Sequence, residues 1–184
     1  MSQSLTANKR SKAWSLAVFT LPILMLSSAQ AQNCNSNMIE TTPTSDFAVH
    51  GDGTVTNQPT QLMWKVCSEG QTWSANSCSG STSTKTWSQA LQIPSSLNAG
   101  AGFAGHTDWR LPNIKELKTL VEFACFGSAI NETVFPSSAA EWYWSSSPSA
   151  NDTDVSWALD VDSGDDFAYT RTSVYRVRLV RTIP

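Results

Sequence analysis

The sequence predicts an α+β domain of two short helices packed on small antiparallel sheets, and three stretches carry that prediction. At Asp108-Trp109-Arg110-Leu111-Pro112-Asn113-Ile114-Lys115-Glu116-Leu117, an extended entry feeds a capped amphipathic helix. Between Phe47 and Lys65, short runs of β-forming residues alternate with Gly/Asp and Asn/Pro turns. From Trp142 to the C-terminus, aromatic and alternating segments return to a strand pattern.

Residues 1–31 read as a secretory signal peptide. Lys9, Arg10 and Lys12 precede an apolar run from Ala13 to Leu26, and Ala29-Gln30-Ala31 supplies a small-x-small cleavage site. That run is too short for a comfortable membrane span, which needs about 20 residues. Cys34 follows Gln32 and Asn33 rather than the small residues of a lipid-attachment site. The chain is therefore expected to be exported to the periplasm, the cell surface or the medium, with 32–45 as an N-terminal segment and 46–184 as one domain. The whole chain carries 12 Lys and Arg against 15 Asp and Glu, and loss of the basic leader residues leaves a net charge near −6. Nucleic acid is a poor partner for such a surface. Acids crowd between Asp152 and Asp166, so the negative charge lies late in the chain.

Cys34, Cys67, Cys78 and Cys125 form an even set, which in an exported chain points to disulfides with alternative pairings. Cys67 with Cys78 is preferred because it closes the Ser/Gly/Asn-rich loop between them. Cys34 with Cys125 then ties the N-terminal segment to the end of the central helix. No Cys-x-x-Cys occurs, and His50 and His106 are the only histidines, so neither a catalytic thiol nor a structural zinc is expected.

Phe47-Ala48-Val49, Thr54-Val55-Thr56 and Gln61-Leu62-Met63-Trp64-Lys65 are expected strands, separated by Gly51-Asp52-Gly53 and Asn57-Gln58-Pro59 turns. Residues 68–85 are expected to be a surface loop. Thr86 caps a short helix with Trp87, Ala90 and Leu91 inward, ending before Pro94. Residues 95–107 hold scattered glycines without the spacing of a phosphate cradle. In the central stretch, Pro112 forces Leu111 out of the helical region, and Asn113 with Glu116 forms a capping box, so the helix starts at Ile114. Ile114, Leu117, Leu120, Val121 and Ala124 share its inner face. Trp142-Tyr143-Trp144 is a strand with aromatic residues on both faces, which implies a partner on each side. In Trp157–Asp162, Leu159 and Val161 are expected inward and Ala158, Asp160 and Asp162 outward. In Tyr175–Arg181, Tyr175, Val177 and Leu179 take one face and Arg176, Arg178 and Val180 the other.

Asp52-Gly53-Thr54-Val55-Thr56, Leu62-Met63-Trp64, Asp108-Trp109-Arg110-Leu111-Pro112, Glu116-Leu117, Phe135-Pro136, Trp144-Ser145-Ser146-Ser147 and Val177-Arg178-Leu179-Val180-Arg181 together resemble the Lcl C-terminal domain family over about residues 46 to 181. The resemblance implies a C-type-lectin-like fold whose late strands and loops form a ligand-binding face. The Arg110-Leu111-Pro112 segment also resembles its counterpart in formylglycine-generating enzymes, which share that broad fold. Fold likeness alone does not carry activity.

From Ser145 to Pro184 there is no Lys, Glu, Gln or Met, and the mixed positions at 151–156 and 160–175 are nearly all residues that an asparagine codon reaches by changing only its adenines. Such a tract resembles the variable region of a target protein of a diversity-generating retroelement. The alternative reading is an acidic, solvated hairpin with ordinary drift.

No convergent catalytic set is visible. His106 beside Asp108 reads as a loop residue, and cysteines committed to disulfides leave no thiol site for formylglycine-type chemistry, so an enzyme is not expected. No cofactor is expected either. Asp160-Val161-Asp162-Ser163-Gly164-Asp165-Asp166 offers calcium closely spaced carboxylates but lacks the further ligand and later glutamate of a calcium loop. Arg110 beside Asp108 offers a ligand carboxylate a partner, but flanked by Trp109 and Leu111 it is expected instead to seek a fixed acceptor within the domain. The expected ligand-binding residues are Asp154, Ser156, Ala158, Asp160, Asp162, Asp165, Phe167, Tyr169, Arg171 and Tyr175, which supply aromatic anchors, acceptors and a donor fork. They suit a protein or other macromolecular ligand, with a glycan-binding adhesin or lectin of a cell or matrix surface as the alternative.

Overall fold

Asn33–Cys34 (β1) opens the described chain, and a 3-10 turn at Thr44–Asp46 leads into Phe47–Val49 (β2), Thr54–Asn57 (β3) and Leu62–Lys65 (β4). The computed structural model describes Met1 and residues 32–184; the leader reading of residues 1–31 lies outside the described residues. At the first turn Gly51 and Gly53 both take positive φ, and Asp52 accepts from the backbone N–H and hydroxyl of Thr54. A side chain at position 53 would press on Trp73 and Phe103, so glycine is required there by space as well as by conformation.

The segment 68–85 is not a featureless loop. It contains a two-stranded ribbon, Thr72–Ser74 (β5) and Ser77–Ser79 (β6), turned at Ala75 and Asn76 with positive φ. Cys67 is bonded to Cys78 across it, and Cys34 to Cys125, the pairing expected from the sequence.

The first helix, Trp87–Asn98 (α1), starts where expected, with a full capping box of Thr86 and Gln89. It does not end before Pro94. Pro94 is buried inside it, and the last turn is fixed from outside: Asn98 donates to the Trp109 carbonyl at 2.7 Å and accepts from the Trp109 N–H at 3.1 Å. That tertiary anchor offsets the backbone hydrogen bond a proline removes. Leu91 correspondingly faces outward, while Ile93 and Leu97 pack inward beside Ala90.

The second helix, Ile114–Lys118 (α2), carries the expected capping box of Asn113 and Glu116 but runs only five residues. Leu120, Val121 and Ala124 are buried as the helical spacing required, yet they sit in the turns that follow. Glu116 explains the short, firm start: it accepts from the Asn113 N–H and holds both guanidinium nitrogens of Arg110 at 2.7 Å. Arg110 is thus an internal brace, as its flanking residues implied.

After Cys125–Phe126 (β7), which pairs with β1, the chain forms Trp142–Pro148 (β8), Val155–Asp160 (β9), Asp166–Thr170 (β10) and Val180–Thr182 (β11). One sheet is ordered β11-β4-β3-β2 and a second β10-β9-β8, all pairs antiparallel. The fold is therefore α+β with small antiparallel sheets, as read from the sequence.

Alternation along the strands splits the interior in two. Trp64, Tyr143 and Leu159 join one core with Phe47, Leu117, Ile130 and Phe135. Their strand neighbours Met63, Trp144 and Ala158 join another with Trp109, Leu111, Val177 and Leu179. Both sheets bury side chains on two sides, as the aromatic residues on both faces of Trp142-Tyr143-Trp144 implied, while the face of Trp142 and Trp144 opens to solvent towards Phe167. Ala158 is buried, not outward, because the face it shares with Trp144 is roofed by other aromatic rings. Arg178 is buried as well, because the acceptors it needs lie in the interior: the carbonyls of Lys65 and Val66 and the hydroxyls of Ser68 and Ser138.

Candidate binding face

Register decides which late side chains meet. Trp142 lies opposite Asp160, Trp144 opposite Ala158, Phe167 opposite Ala158 and Tyr169 opposite Ser156. Residues directly opposite in antiparallel strands project to the same side, so one face of the β10-β9-β8 sheet carries Trp142, Trp144, Ser156, Ala158, Asp160, Phe167 and Tyr169.

Tyr175 joins this face from the chain beyond β10. Its ring lies 4.8 Å from Trp144 and 5.1 Å from Tyr169, and Tyr169 in turn lies 4.8 Å from Trp142 and 5.2 Å from Phe167. These are edge-on or tilted contacts within the favourable range for aromatic pairs. Burial pushes the Tyr175 hydroxyl up from its usual pKa, opposed by a hydrogen bond with Ser173 and reinforced by Tyr169. The large residues leave Ser156 and Ala158, both fully buried, as the floor beneath them. Phe167 stands out at 59% exposure.

At one end of the strip, Arg171 lies over the Trp87 ring at 4.2 Å and donates Nε to Ser156 Oγ at 3.0 Å. Trp87 Nε1 and Trp144 Nε1 are committed to the carbonyls of Ser145 and Lys85. Asp154 is exposed at this end, its carbonyl accepting from the Arg171 N–H. The other end is the turn from β9 to β10, where Asp162 is half-exposed and Asp165 exposed. Asp160 belongs to that turn: Oδ1 accepts from the Asp162 N–H and Oδ2 from the Ser163 hydroxyl. Gly164 closes it with positive φ, and a side chain there would strike Val121.

The residues expected at the ligand fall into three groups. Phe167, Tyr169, Arg171 and Tyr175 are brought together on one surface; Asp154, Asp162 and Asp165 flank it; Ser156, Ala158 and Asp160 form its support. Trp87, Trp142 and Trp144 were missing from the expected set. The aromatic alternation at Trp142-Tyr143-Trp144 was the available signal, but only strand register shows which of its rings faces Tyr169.

Clefts of about 520 Å³ beside Lys85, Gln89 and Gln92, and of about 390 Å³ beside Cys34, Met38 and Glu132, are lined by none of the side chains of this face, although Lys85 adjoins it through its bridge to Tyr175. Among the described residues no group of three or more His, Cys, Asp or Glu could hold a metal ion. The Asp160–Asp166 run serves as a hairpin turn, with Asp166 paired to Lys118. His106 packs against Trp109 at 6.5 Å, and Asp108 is held by Arg181 at 2.7 Å. No helix among the described residues is long and apolar enough to cross a membrane.

No curated protein matches the chain. The model of the Lcl C-terminal domain matches residues 53–181, which contain the Asp108-to-Val121 segment, the whole β10-β9-β8 sheet and the whole aromatic face. That span is more than half of the sequence, and the chain belongs to the Lcl C-terminal domain family.

Proposed function

We propose that this chain is an exported, non-enzymatic recognition domain that presents the aromatic face of β8, β9 and β10 to a macromolecular ligand. The observation that carries this reading is the aromatic strip on the sheet, from exposed Phe167 through half-exposed Tyr169 to Trp142 and Tyr175. An exposed sheet face with rings as anchors and carboxylates at its rim matches a large ligand better than a small one buried in a cavity. The two disulfides fit an oxidising compartment.

The tract 151–175 gives this reading its second part, diversification by a retroelement. Its exposed or half-exposed members include Asp154, Asp162, Asp165 and Phe167, where substitution changes a ligand surface with little effect on the core, and Tyr169 and Arg171, which also pack on the scaffold. Ser156 and Ala158 are buried and belong to the scaffold. A near-identical repeat of the DNA encoding Ser145 to Pro184, differing mainly at adenines and lying beside a reverse transcriptase gene, is the expected genomic finding. Its absence returns the tract to ordinary drift.

Screening the purified protein against a displayed peptide library and a glycan array, with and without calcium, tests the binding role. Phe167→Ser is expected to abolish the ligand signal while barely moving the unfolding midpoint, because its side chain is mostly exposed. Ligands indifferent to Phe167→Ser would place recognition elsewhere. Glycan hits that depend on this face would favour the adhesin or lectin role over a protein partner.

A further inference from the structure

The β10-β9-β8 sheet has one covered edge and one open edge. Along β8, Trp144 N–H donates to the Arg176 carbonyl at 2.9 Å and Arg176 N–H to the Trp142 carbonyl at 3.0 Å, so residues 175–176 occupy its outer side. β10 pairs with β9 alone: among the described residues no strand or isolated bridge lies on its outer side. An open edge presents unpaired N–H and C=O groups, and proteins that do not use such an edge blunt it with proline, lysine or a bulge. The sequence Asp166-Phe167-Ala168-Tyr169-Thr170 holds no proline or lysine, and its register to β9 runs without a shift.

Charge around this edge is unbalanced. Lys118 is paired with Asp166, Arg176 with Glu141, and Arg171 lies on the Trp87 ring; Lys85, beside Tyr175, takes part in no ion pair among the described residues but is a single charge against four free carboxylates. Asp152 and Asp154 at the turn before β9, and Asp162 and Asp165 at the turn before β10, take part in no ion pair among the described residues. Five extended residues of β10 span about 17 Å, which separates the two acidic ends.

We infer that the outer edge of β10 is a docking site for a cationic, extended segment of a partner protein, which adds a fourth strand to the sheet. This rests on the binding-face reading above. Main-chain bonds to β10 supply the alignment, alternate side chains of the incoming strand lie against Phe167 and Tyr169, and lysine or arginine near its ends meets the free carboxylates. A second copy of this chain is the poorer occupant, because antiparallel pairing of two β10 edges would set Asp162 and Asp165 of one copy towards Asp152 and Asp154 of the other.

Titration calorimetry of the disulfide-intact protein with N-acetylated (Lys-Val)4 amide tests this, alongside its Glu-Val counterpart and the Lys-Val peptide methylated on its backbone nitrogens. Hydrogen exchange at 166–170 is followed in parallel. The Lys-Val peptide is expected to bind and to slow exchange of the outward β10 amides. Backbone methylation is expected to weaken binding at least tenfold, Asp162→Asn with Asp165→Asn to weaken it several-fold, and the Glu-Val peptide not to bind. Equal binding of the methylated peptide, or binding of Glu-Val, overturns the proposal. So does a concentration-dependent dimer whose β10 amides are already protected. If the peptides fail but Phe167→Ser still abolishes a ligand from the screen, the cationic strand falls and the binding face stands. If Phe167→Ser affects no ligand, both fall.

Discussion

The guanidinium of Arg171 lies 4.2 Å from the centre of the Trp87 ring, so the start of α1 and the end of β10 are held together by a cation on an aromatic face. A planar guanidinium can stack there and still donate Nε to Ser156 Oγ, whereas an ammonium cannot do both. Arg171→Ala is expected to lower stability by about 1 kcal/mol, the order of a partly exposed cation–π contact. Arg171→Lys should recover less than half of that in urea unfolding. A lysine variant as stable as the parent would show that charge alone, without stacking, suffices.

Arg178 makes a sharper case because it is only 2% exposed and has no carboxylate partner among the described residues. Burial pushes its pKa down, and the neighbouring Tyr143 opposes this. The charge is held instead by the Val66 and Lys65 carbonyls, the Ser68 and Ser138 hydroxyls, and the Phe135 ring at 4.8 Å. Arg178→Ala leaves these acceptors unsatisfied and is expected to cost about 3 kcal/mol or more. Arg178→Lys, which cannot reach both the carbonyl pair and the hydroxyl pair, should lie between. Thermal unfolding ranks the variants, and equal midpoints for parent and lysine variant would refute a role for the fork geometry.

These two arginines also mark how far the sequence could be read. Local chemistry was legible: the Asn113-Glu116 box, the Thr86 cap, an anchoring role for Arg110 and the choice of disulfides follow from residues near in sequence or from loop closure, although the acceptor of Arg110, Glu116, was not named. What escaped was set by contacts across long separations. Alternation gave Ala158 to an outer face because it assumes that each strand has a wet side, and here that position lies under aromatic rings; it set Arg178 on the face opposite Val177 and Leu179 but could not show that its acceptors lie in the interior. Pro94 looked like a helix stop because the Asn98–Trp109 clamp that carries the helix past it joins distant elements. The aromatic strip was half legible: Phe167 and Tyr169 were named, but Trp142 and Trp144 enter only through strand register.

Glu122 sets the expected response to acid. It is buried, which by itself would raise its pKa, but the backbone N–H groups of Ala124, Thr42 and Thr41 and the Thr42 hydroxyl outweigh burial and hold it below the ordinary 4.5. A carboxylate with a folded pKa below its unfolded one contributes stability that is present above the unfolded value. That contribution is lost as pH falls through the folded value. Glu122→Gln must turn an NH2 toward a backbone donor, so it is expected to cost about 2 kcal/mol at pH 7. The gap between parent and variant should then narrow below pH 4.5. Parallel stability curves across that range would show that Glu122 is not the titrating group.

The two disulfides are expected to differ in their worth because they close loops of very different length. Cys34–Cys125 spans 91 residues and Cys67–Cys78 only 11. Chain-entropy reasoning assigns about 4.6 kcal/mol to the first and about 2.8 kcal/mol to the second. The long one has a second role, since it holds β1 against β7 while Gln32 donates to the carbonyls of Ser128 and Ile130 and Thr41 and Thr42 cover Glu122. Loss of Cys34–Cys125 should therefore release residues 32–45 and expose Glu122, so that the variant is both less stable and less dependent on Glu122. Double replacement of each pair by serine, followed by denaturant unfolding and by Glu122→Gln in each background, measures both effects. A Cys34/Cys125 variant that loses less stability than the Cys67/Cys78 variant, or that keeps the full Glu122→Gln penalty, would mean that the N-terminal segment stays docked without its disulfide.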